Sequence, residues 1–340
     1  MTPKPRSYKE GPASQSEKKM PPTLSVIVPC YNEAEVIDVT HARLSKALAE
    51  SGVSFEIIYV NDGSRDATRA LLDAIVAADS HARQVNFARN FGHQAAVSAG
   101  IQYAAGEALV IIDADLQDPP ELIKTMLEKW REGYQVVYGQ RTKRAGETAF
   151  KKVTANLFYR TLNALSTTDI PRDTGDFRLI DRRVADVLNQ MPERHRFLRG
   201  MVSWVGFKQY ALQYNRDPRF AGETKYPLSK MLRFAADGIL SFSTAPLKLA
   251  IWMGMLSAAI AVLLIIYAVA ARLLTDEWVS GWAATIIAIA FFGGAQLVAT
   301  GVIGIYIGRI FEESKGRPLF IVESATGFED GAPLSRNKPG

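Results

Sequence analysis

Residues 249–271 and 278–308 contain no Asp, Glu, Lys or Arg. A helix over the first would be about 34 Å long at roughly 1.5 Å per residue, enough to cross a hydrocarbon core about 30 Å thick. The second stretch is longer, and Gly281 marks a plausible start for a helix over 282–308 that needs some tilt. Trp252, Tyr267, Trp278, Trp282 and Tyr306 lie near the ends, where amphipathic rings favour the headgroup zone. The competing reading is a pair of buried core helices. With no ionisable residue inside either stretch, a transporter pathway is disfavoured.

Charge on the flanks orients the pair. Lys225, Lys230, Arg233 and Lys248 precede it and Arg309, Lys315 and Arg317 follow it, whereas the connecting loop sets Arg272 beside Asp276 and Glu277. By the positive-inside rule both long flanks are expected in the cytoplasm, as parts of an integral protein of a bacterial inner membrane. The rest of the chain is that of a folded domain: 48% hydrophobic, 22% charged, with 40 Lys+Arg against 35 Asp+Glu. Cys30 has no second cysteine to pair with, and His41, His81, His93 and His195 lie far apart in sequence, which excludes a disulfide scaffold and a zinc module. No nucleic-acid partner is expected.

The chain divides by composition. Residues 1–22 are polar and Pro-rich without an apolar h-region and read as a disordered leader rather than a signal peptide. Residues 23–227 form the expected cytoplasmic domain, and 228–247 an interfacial helix, because Lys230, Arg233 and Asp237 fall opposite Met231, Leu232, Phe234, Ile239 and Leu240. An ordinary soluble amphipathic helix is the alternative there. Residues 248–310 would hold the two spans and 311–340 a cytoplasmic tail.

Within the domain, short β-branched runs at 24–28, 55–60, 85–87, 109–112 and 135–138 alternate with helical patterns at 35–49, 66–78, 93–104 and 120–132. That order predicts an α/β domain built on a mainly parallel sheet, with its ligand site at the carboxyl ends of the strands. Polar signals sit there: Tyr31-Asn32-Glu33, Asn61-Asp62-Gly63-Ser64, Asp113-Ala114-Asp115 and Arg141. Neither G-x-G-x-x-G after the first strand nor a P-loop motif is present. Asp113 and Asp115, two apart at a strand's end, can both offer hard oxygens to Mg2+ or Mn2+. A solvated turn is the alternative reading of a lone Asp-x-Asp.

The segments SVIVPCYNEAEVI, IIYVNDGSRDAT, NFARNFGHQAAVSAGIQYA, VIIDADLQDPPELI, VVYGQR, DTGDFRLIDRR and AGETKYPLSKM follow one another in that order. Together they resemble the inverting family 2 glycosyltransferases with the GT-A fold, and more narrowly the polyprenyl-phosphate enzymes of the bactoprenol glucosyltransferase and dolichol-phosphate mannose synthase type. The resemblance covers residues 24–323, both spans included. It implies that Pro29, Tyr31, Glu33 and Asp62 hold the nucleoside, Asp113 and Asp115 the metal and diphosphate, and Gln117 the sugar or the metal's surroundings. Asp62 could instead serve an Asx turn in N-D-G-S, and Tyr31 could be packing. Arg141 and Arg178 are implied to face phosphate, which suits a guanidinium fork. The resemblance sets the Asp of the family's catalytic loop at Asp176, as a base or as an orienting group. Arg219 and Lys225 would attract the lipid phosphate, or simply supply positive-inside charge. R-H-R-F-L-R-G at 194–200 stands where cellulose-synthase-like relatives carry Q-x-x-R-W, which disfavours a processive synthase.

The implied reaction moves a sugar, foremost glucose from UDP-glucose, onto undecaprenyl or another polyprenyl phosphate at the inner leaflet. Alternatives are another donor (UDP-N-acetylhexosamine, GDP-mannose or an aminoarabinose nucleotide) and a non-catalytic membrane scaffold. Gly301, Gly304 and Gly308 place small residues on one face of the second span, a pattern for close helix contact within the chain or in a homo-oligomer, or for room beside the lipid.

Overall fold

The computed structural model describes residues 22–142, 174–215, 245–274 and 281–328. Strands β1 (Leu24–Cys30), β2 (Phe55–Asn61), β3 (Ala82–Phe87), β4 (Ala108–Ile111) and β5 (Val136–Arg141) alternate with helices α1 (Ile37–Ala49), α2 (Thr68–Ala78), α3 (His93–Tyr103) and α4 (Leu122–Arg131). Strand β6 (Thr174–Asp181), helices α5 (Arg182–Gln190) and α6 (Leu198–Trp204), and strand β7 (Gln209–Tyr214) follow. The long helices are α7 (Ala245–Leu274) and α8 (Trp282–Ser314), and a last strand, β8 (Val322–Thr326), closes the described chain.

The sheet order is β7-β5-β6-β4-β1-β2-β3-β8. Strands β3, β2, β1 and β4 are mutually parallel, as the alternating pattern predicts, because each helix carries the chain back over a face before the next strand starts. β1 is buried along its whole length, since both faces are covered. Val26 and Val28 pack with Ile37, Leu44, Leu72 and Met126 of α1, α2 and α4, whereas Ile27 packs with Ala96, Ile101, Val184 and Met201 of α3, α5 and α6. Helix α3 lies so close to β1 that a Cβ on Gly100 would fall 2.2 Å from Ile27 Cγ2. Glycine at position 100 is therefore what lets α3 pack this closely on β1.

Two strands run against this grain. β6 inserts antiparallel between β4 and β5, and β8 pairs antiparallel with β3. The expected catalytic loop at Asp176 is thus a strand, a correction that follows from its pairing on both sides. Its polar residues alternate with Phe177 and Leu179, which are fully buried, and that alternation is the signature of a strand rather than a loop. β5 is also longer than expected, so Arg141 is its last residue.

Helices α7 and α8 are long and apolar enough to cross a membrane, over Pro246–Tyr267 (mean hydropathy 2.6) and Ile287–Ser314 (1.8), and neither window is buried within the protein. Gly281 stands just before α8, as its sequence position predicts. Beyond its apolar part α8 carries Glu312 and Glu313, which meet the domain: His195 Nε2 lies 2.6 Å from Glu312 Oε2, and the Arg194 amide donates to Glu313 Oε1 at 2.8 Å. The residues that follow, expected as a tail, run back into the sheet as β8, where Phe320 stacks on Phe87 at 5.0 Å. Residues 1–21 of the expected leader, residues 228–244 of the expected interfacial helix, and Arg219 and Lys225 lie outside the described residues.

Candidate active site

The carboxyl ends of β1 and β2 carry two loops that brace each other. Asn32, at φ 54°, accepts the Arg65 amide at 2.8 Å through Oδ1 and donates its own amide to Ser64 Oγ at 3.0 Å. The Glu33 amide donates to Thr68 Oγ1 at 2.8 Å. Pro29 is buried in β1 beside Val60, while Tyr31 is 38% exposed at the loop's tip. An open aromatic face is what a planar base can stack on.

Asp62 is buried and accepts the amides of Phe91 (2.6 Å) and Gly92 (2.9 Å), one on each carboxylate oxygen. It ties the β2 loop to the start of α3. The turn in N-D-G-S is held instead by Asn61, whose Oδ1 accepts the Ser64 amide at 3.0 Å. Burial pushes the Asp62 carboxyl up, and its two backbone donors oppose that. Gly63 has φ +64°, and a Cβ there would lie 2.4 Å from the Arg89 carbonyl carbon, so the two loops touch backbone to backbone.

After β4 the chain turns through Asp113, Asp115 and Gln117, with Leu116 at φ 56°. Asp115 Oδ1 accepts the Gln117 amide at 3.2 Å. Asn32 and Leu116 are the two non-glycine residues with positive φ among the described residues, and both sit in these loops. Strained backbone held by its surroundings marks places where geometry matters more than stability.

The β4–β6 pairing sets Ile111 opposite Arg178. Continuing that antiparallel register by two residues brings Asp176 level with Asp113, although 63 positions separate them in sequence. His93, first residue of α3, bridges them: its Nε2 is 3.1 Å from Asp176 Oδ2 and 3.8 Å from Asp113 Oδ1. Arg199 of α6 closes the other side of Asp176, with Nε 2.8 Å from Oδ1 and a terminal nitrogen 3.2 Å from Oδ2. Burial alone would raise the Asp176 carboxyl, but Arg199 and His93 reverse this and hold it well below the usual range. His93 shows the converse: burial opposes its charge, yet Asp176 and Asp113 raise it to about 9. Asp113 is raised to about 6 by burial and by Asp176, Asp118 and Asp115, with His93 opposing.

Arg178 is 4% exposed, donates to the Gly175 carbonyl at 2.9 Å and lies 4.0 Å from Asp176; burial lowers its guanidinium to about 10. Arg141 lies over Gly175, its Nε 3.4 Å from the Tyr214 hydroxyl and a terminal nitrogen 3.8 Å from Asp118 Oδ1. The Tyr214 hydroxyl in turn donates to Asp118. Asp113, Asp176, Arg178 and Arg141 are thus drawn together at one end of the sheet.

Sequence reasoning missed His93 and Arg199. Both were in view: His93 inside N-F-G-H-Q, Arg199 inside R-H-R-F-L-R-G. What was missing was the register that places Asp176 between them.

Among the described residues no group of three His, Cys, Asp or Glu side chains is arranged to hold a metal by itself. The donor set nevertheless fits a hard divalent cation: Asp113 and Asp115 offer carboxylate oxygens, and the Asp113 carboxyl, raised chiefly by burial, also feels Asp176, Asp118 and Asp115 nearby, negative surroundings that a cation would offset. Such an ion would complete its ligand set from water and a diphosphate.

The sequence profile described as "Glycosyl transferase family 2" matches residues 25–188. An uncharacterised glycosyltransferase of Bacillus subtilis, YkcC, is 51% identical over 306 residues, covering 90% of this chain and 95% of that protein. The bactoprenol glucosyl transferase of Shigella phage SfV is 38% identical over 301 residues, covering 88% of this chain and 98% of the relative. Among solved structures, glucosyl-3-phosphoglycerate synthase from Mycobacterium tuberculosis with Mn2+, UDP-glucose and phosphoglyceric acid is a distant likeness. It is 20% identical with a TM-score of 0.44, over 64% of this chain and 78% of that one. With a relative of 51% identity along nearly its whole length, this chain, a GT-A fold followed by two apolar helices, belongs to glycosyl transferase family 2.

Proposed function

We propose that this protein is an inverting glycosyltransferase that moves glucose from UDP-glucose onto undecaprenyl or another polyprenyl phosphate at the inner leaflet. The observation that carries this reading is the meeting of three things at one sheet end. These are an open aromatic loop, the acidic turn at Asp113–Asp115, and a carboxylate at Asp176 clamped by two cations. The chain that forms them is joined to two apolar helices. The relatives named bactoprenol glucosyl transferase support the lipid acceptor and glucose.

In this reading Tyr31 stacks on the base, and Pro29, Glu33 and Asp62 shape the nucleoside pocket. Asp113 and Asp115 hold Mg2+ or Mn2+, with Gln117 beside the sugar. The ion, when bound, offsets the charge that develops on the departing diphosphate. A phosphate oxygen of the lipid attacks the anomeric carbon from the face opposite the leaving group. As that bond forms, the bond to the diphosphate breaks, and the nucleoside diphosphate leaves with the electron pair. The lipid phosphate is already anionic, so no strong base is needed. Asp176, kept ionised by Arg199 and His93, orients the sugar hydroxyls or the acceptor. Arg141 and Arg178 add positive charge to a site where both reactants are anions. Arg219 and Lys225 recruit the lipid phosphate.

Connectivity supports a topology for this reading. β8 leaves the end of α8 and joins the sheet beside β3, so that end of α8 shares a side with the catalytic domain. The positive flanks support the cytoplasm as that side. Gly301, Gly304 and Gly308 face open space, and a Cβ on any of them would meet nothing within 4 Å. We assign this face to contact with a second copy in a homo-oligomer. The test offers purified protein a panel of nucleotide sugars with undecaprenyl phosphate and identifies the lipid product by mass spectrometry. A glucosylated lipid formed only from UDP-glucose is expected, and no product from any donor would refute the reading in favour of a scaffold.

A further inference from the structure

Strand β8 contributes more than an edge. The strand registers set Asn61 of β2 opposite Asn86 of β3, and Asn86 opposite Ser324 of β8. These cross-strand neighbours share a face and bond in series: Asn61 Nδ2 donates to Asn86 Oδ1 at 2.9 Å, and Asn86 Nδ2 donates to Ser324 Oγ at 3.0 Å. Gln84 Nε2 adds a second donor to Asn86 Oδ1 at 3.0 Å. Asn61, Asn86 and Gln84 are buried, so each amide is held in one orientation by its partners.

At its inner end the row continues into the nucleotide loops. Asn61 Oδ1 accepts the Ser64 amide at 3.0 Å, and Ser64 Oγ accepts the Asn32 amide at 3.0 Å. Five groups therefore link the strand after the second apolar helix to the loops that carry Tyr31, Glu33 and Asp62. The outer end is fixed: the Ala88 amide donates to the Ile321 carbonyl at 3.1 Å, and Glu313 at the foot of α8 holds the Arg194 amide.

We propose that Ser324 is a positioning residue for the donor. Through Asn86 and Asn61 it fixes Ser64 and Asn32, so nucleotide binding depends on a segment delivered from the membrane side of the chain. Removing the hydroxyl leaves the buried Asn86 Nδ2 without an acceptor, and the amide row loses its outer anchor. The inference rests on the donor-site reading above.

Full-length protein in nanodiscs carrying Ser324→Val or Ser324→Thr tests it, because the two side chains share a shape and differ in the hydroxyl. The valine variant is expected to raise the donor KM roughly fivefold with kcat within about twofold. It should also speed amide hydrogen exchange in residues 61–65 and at Asn32. The threonine variant should match wild type in both, and Glu323→Gln, on the same strand but paired outward with Arg69, should change neither. Ser324→Ala supplies the same comparison if the valine variant fails to fold. Equal exchange over 61–65 in the valine and threonine variants would overturn the inference, as would a fall in kcat at constant KM. Exchange needs no turnover, so an inactive wild type would refute the proposed reaction while exchange still decides the positioning.

Discussion

Arg199→Ala removes the fork that grips Asp176, and the structure sets the size of the effect. Two charge-assisted contacts are lost, at 2.8 and 3.2 Å, each of which contributes about 1.5–3 kcal/mol when buried. The gross loss is offset in part, because His93 remains 3.1 Å from Asp176 and Arg178 4.0 Å from it, so the carboxylate keeps a counter-charge. A net loss of about 2 kcal/mol, felt where the oriented carboxylate acts, lowers kcat about 30-fold at about 1.36 kcal/mol per decade. Arg199→Lys keeps the charge and one contact, so about 1 kcal/mol and about a fivefold loss are expected. Donor KM should move less than about twofold in both, since the Arg199 fork is engaged with Asp176. The assay is steady-state transfer to a short polyprenyl phosphate with radiolabelled donor, alongside thermal melts that report folding. Wild-type kcat in the alanine variant, or a loss carried by donor KM, would refute the orienting role of the Arg199–Asp176 pair.

If Asp115 serves an ion as proposed, chelation should abolish transfer and Asp115→Ala should do the same, with a melting temperature lowered by no more than the loss of one contact to the Gln117 amide; full activity in excess EDTA would sink this. His41 gives a pH test away from the site: burial lowers its pKa below 6.5, against the pull of Asp79 and Asp38. Its contribution to stability is therefore present above about pH 6.5 and lost as pH falls below it, so the apparent Tm should drop between about pH 7 and about pH 5 and drop less in His41→Gln. Equal drops in the two proteins would count against it. Gly304→Leu with Gly308→Leu has room within the chain, so a smaller species on light-scattering chromatography would report a contact between copies. An unchanged mass would place those glycines elsewhere.

What could be read from residues alone was local. The two apolar stretches announce α7 and α8 because length and lack of charge are properties of a segment by itself. The alternation of β-branched runs with amphipathic helices foretells the parallel half of the sheet, and parallel strands put Tyr31, Asp62 and Asp113 at one end without further information. Even the start of α8 at Gly281 is a local signal.

Only the tertiary structure decided what is paired with what. The expectation of a loop at β6 comes from the resemblance, which puts the family's catalytic loop at Asp176, and although its alternation suits a strand, no sequence rule says that it inserts between β4 and β5. That insertion makes Asp176 a neighbour of Asp113, and packing of α3 and α6 then supplies His93 and Arg199 as its counter-charges. Likewise Ser324 reads as one polar residue in a tail until β8 pairs with β3 and brings it to Asn86. Hydropathy patterns encode which face of a segment is buried, since burial scales with that segment's own apolar area. They do not encode partners, because a strand edge or a lone charge is satisfied equally well by any matching group, and long-range register makes the choice.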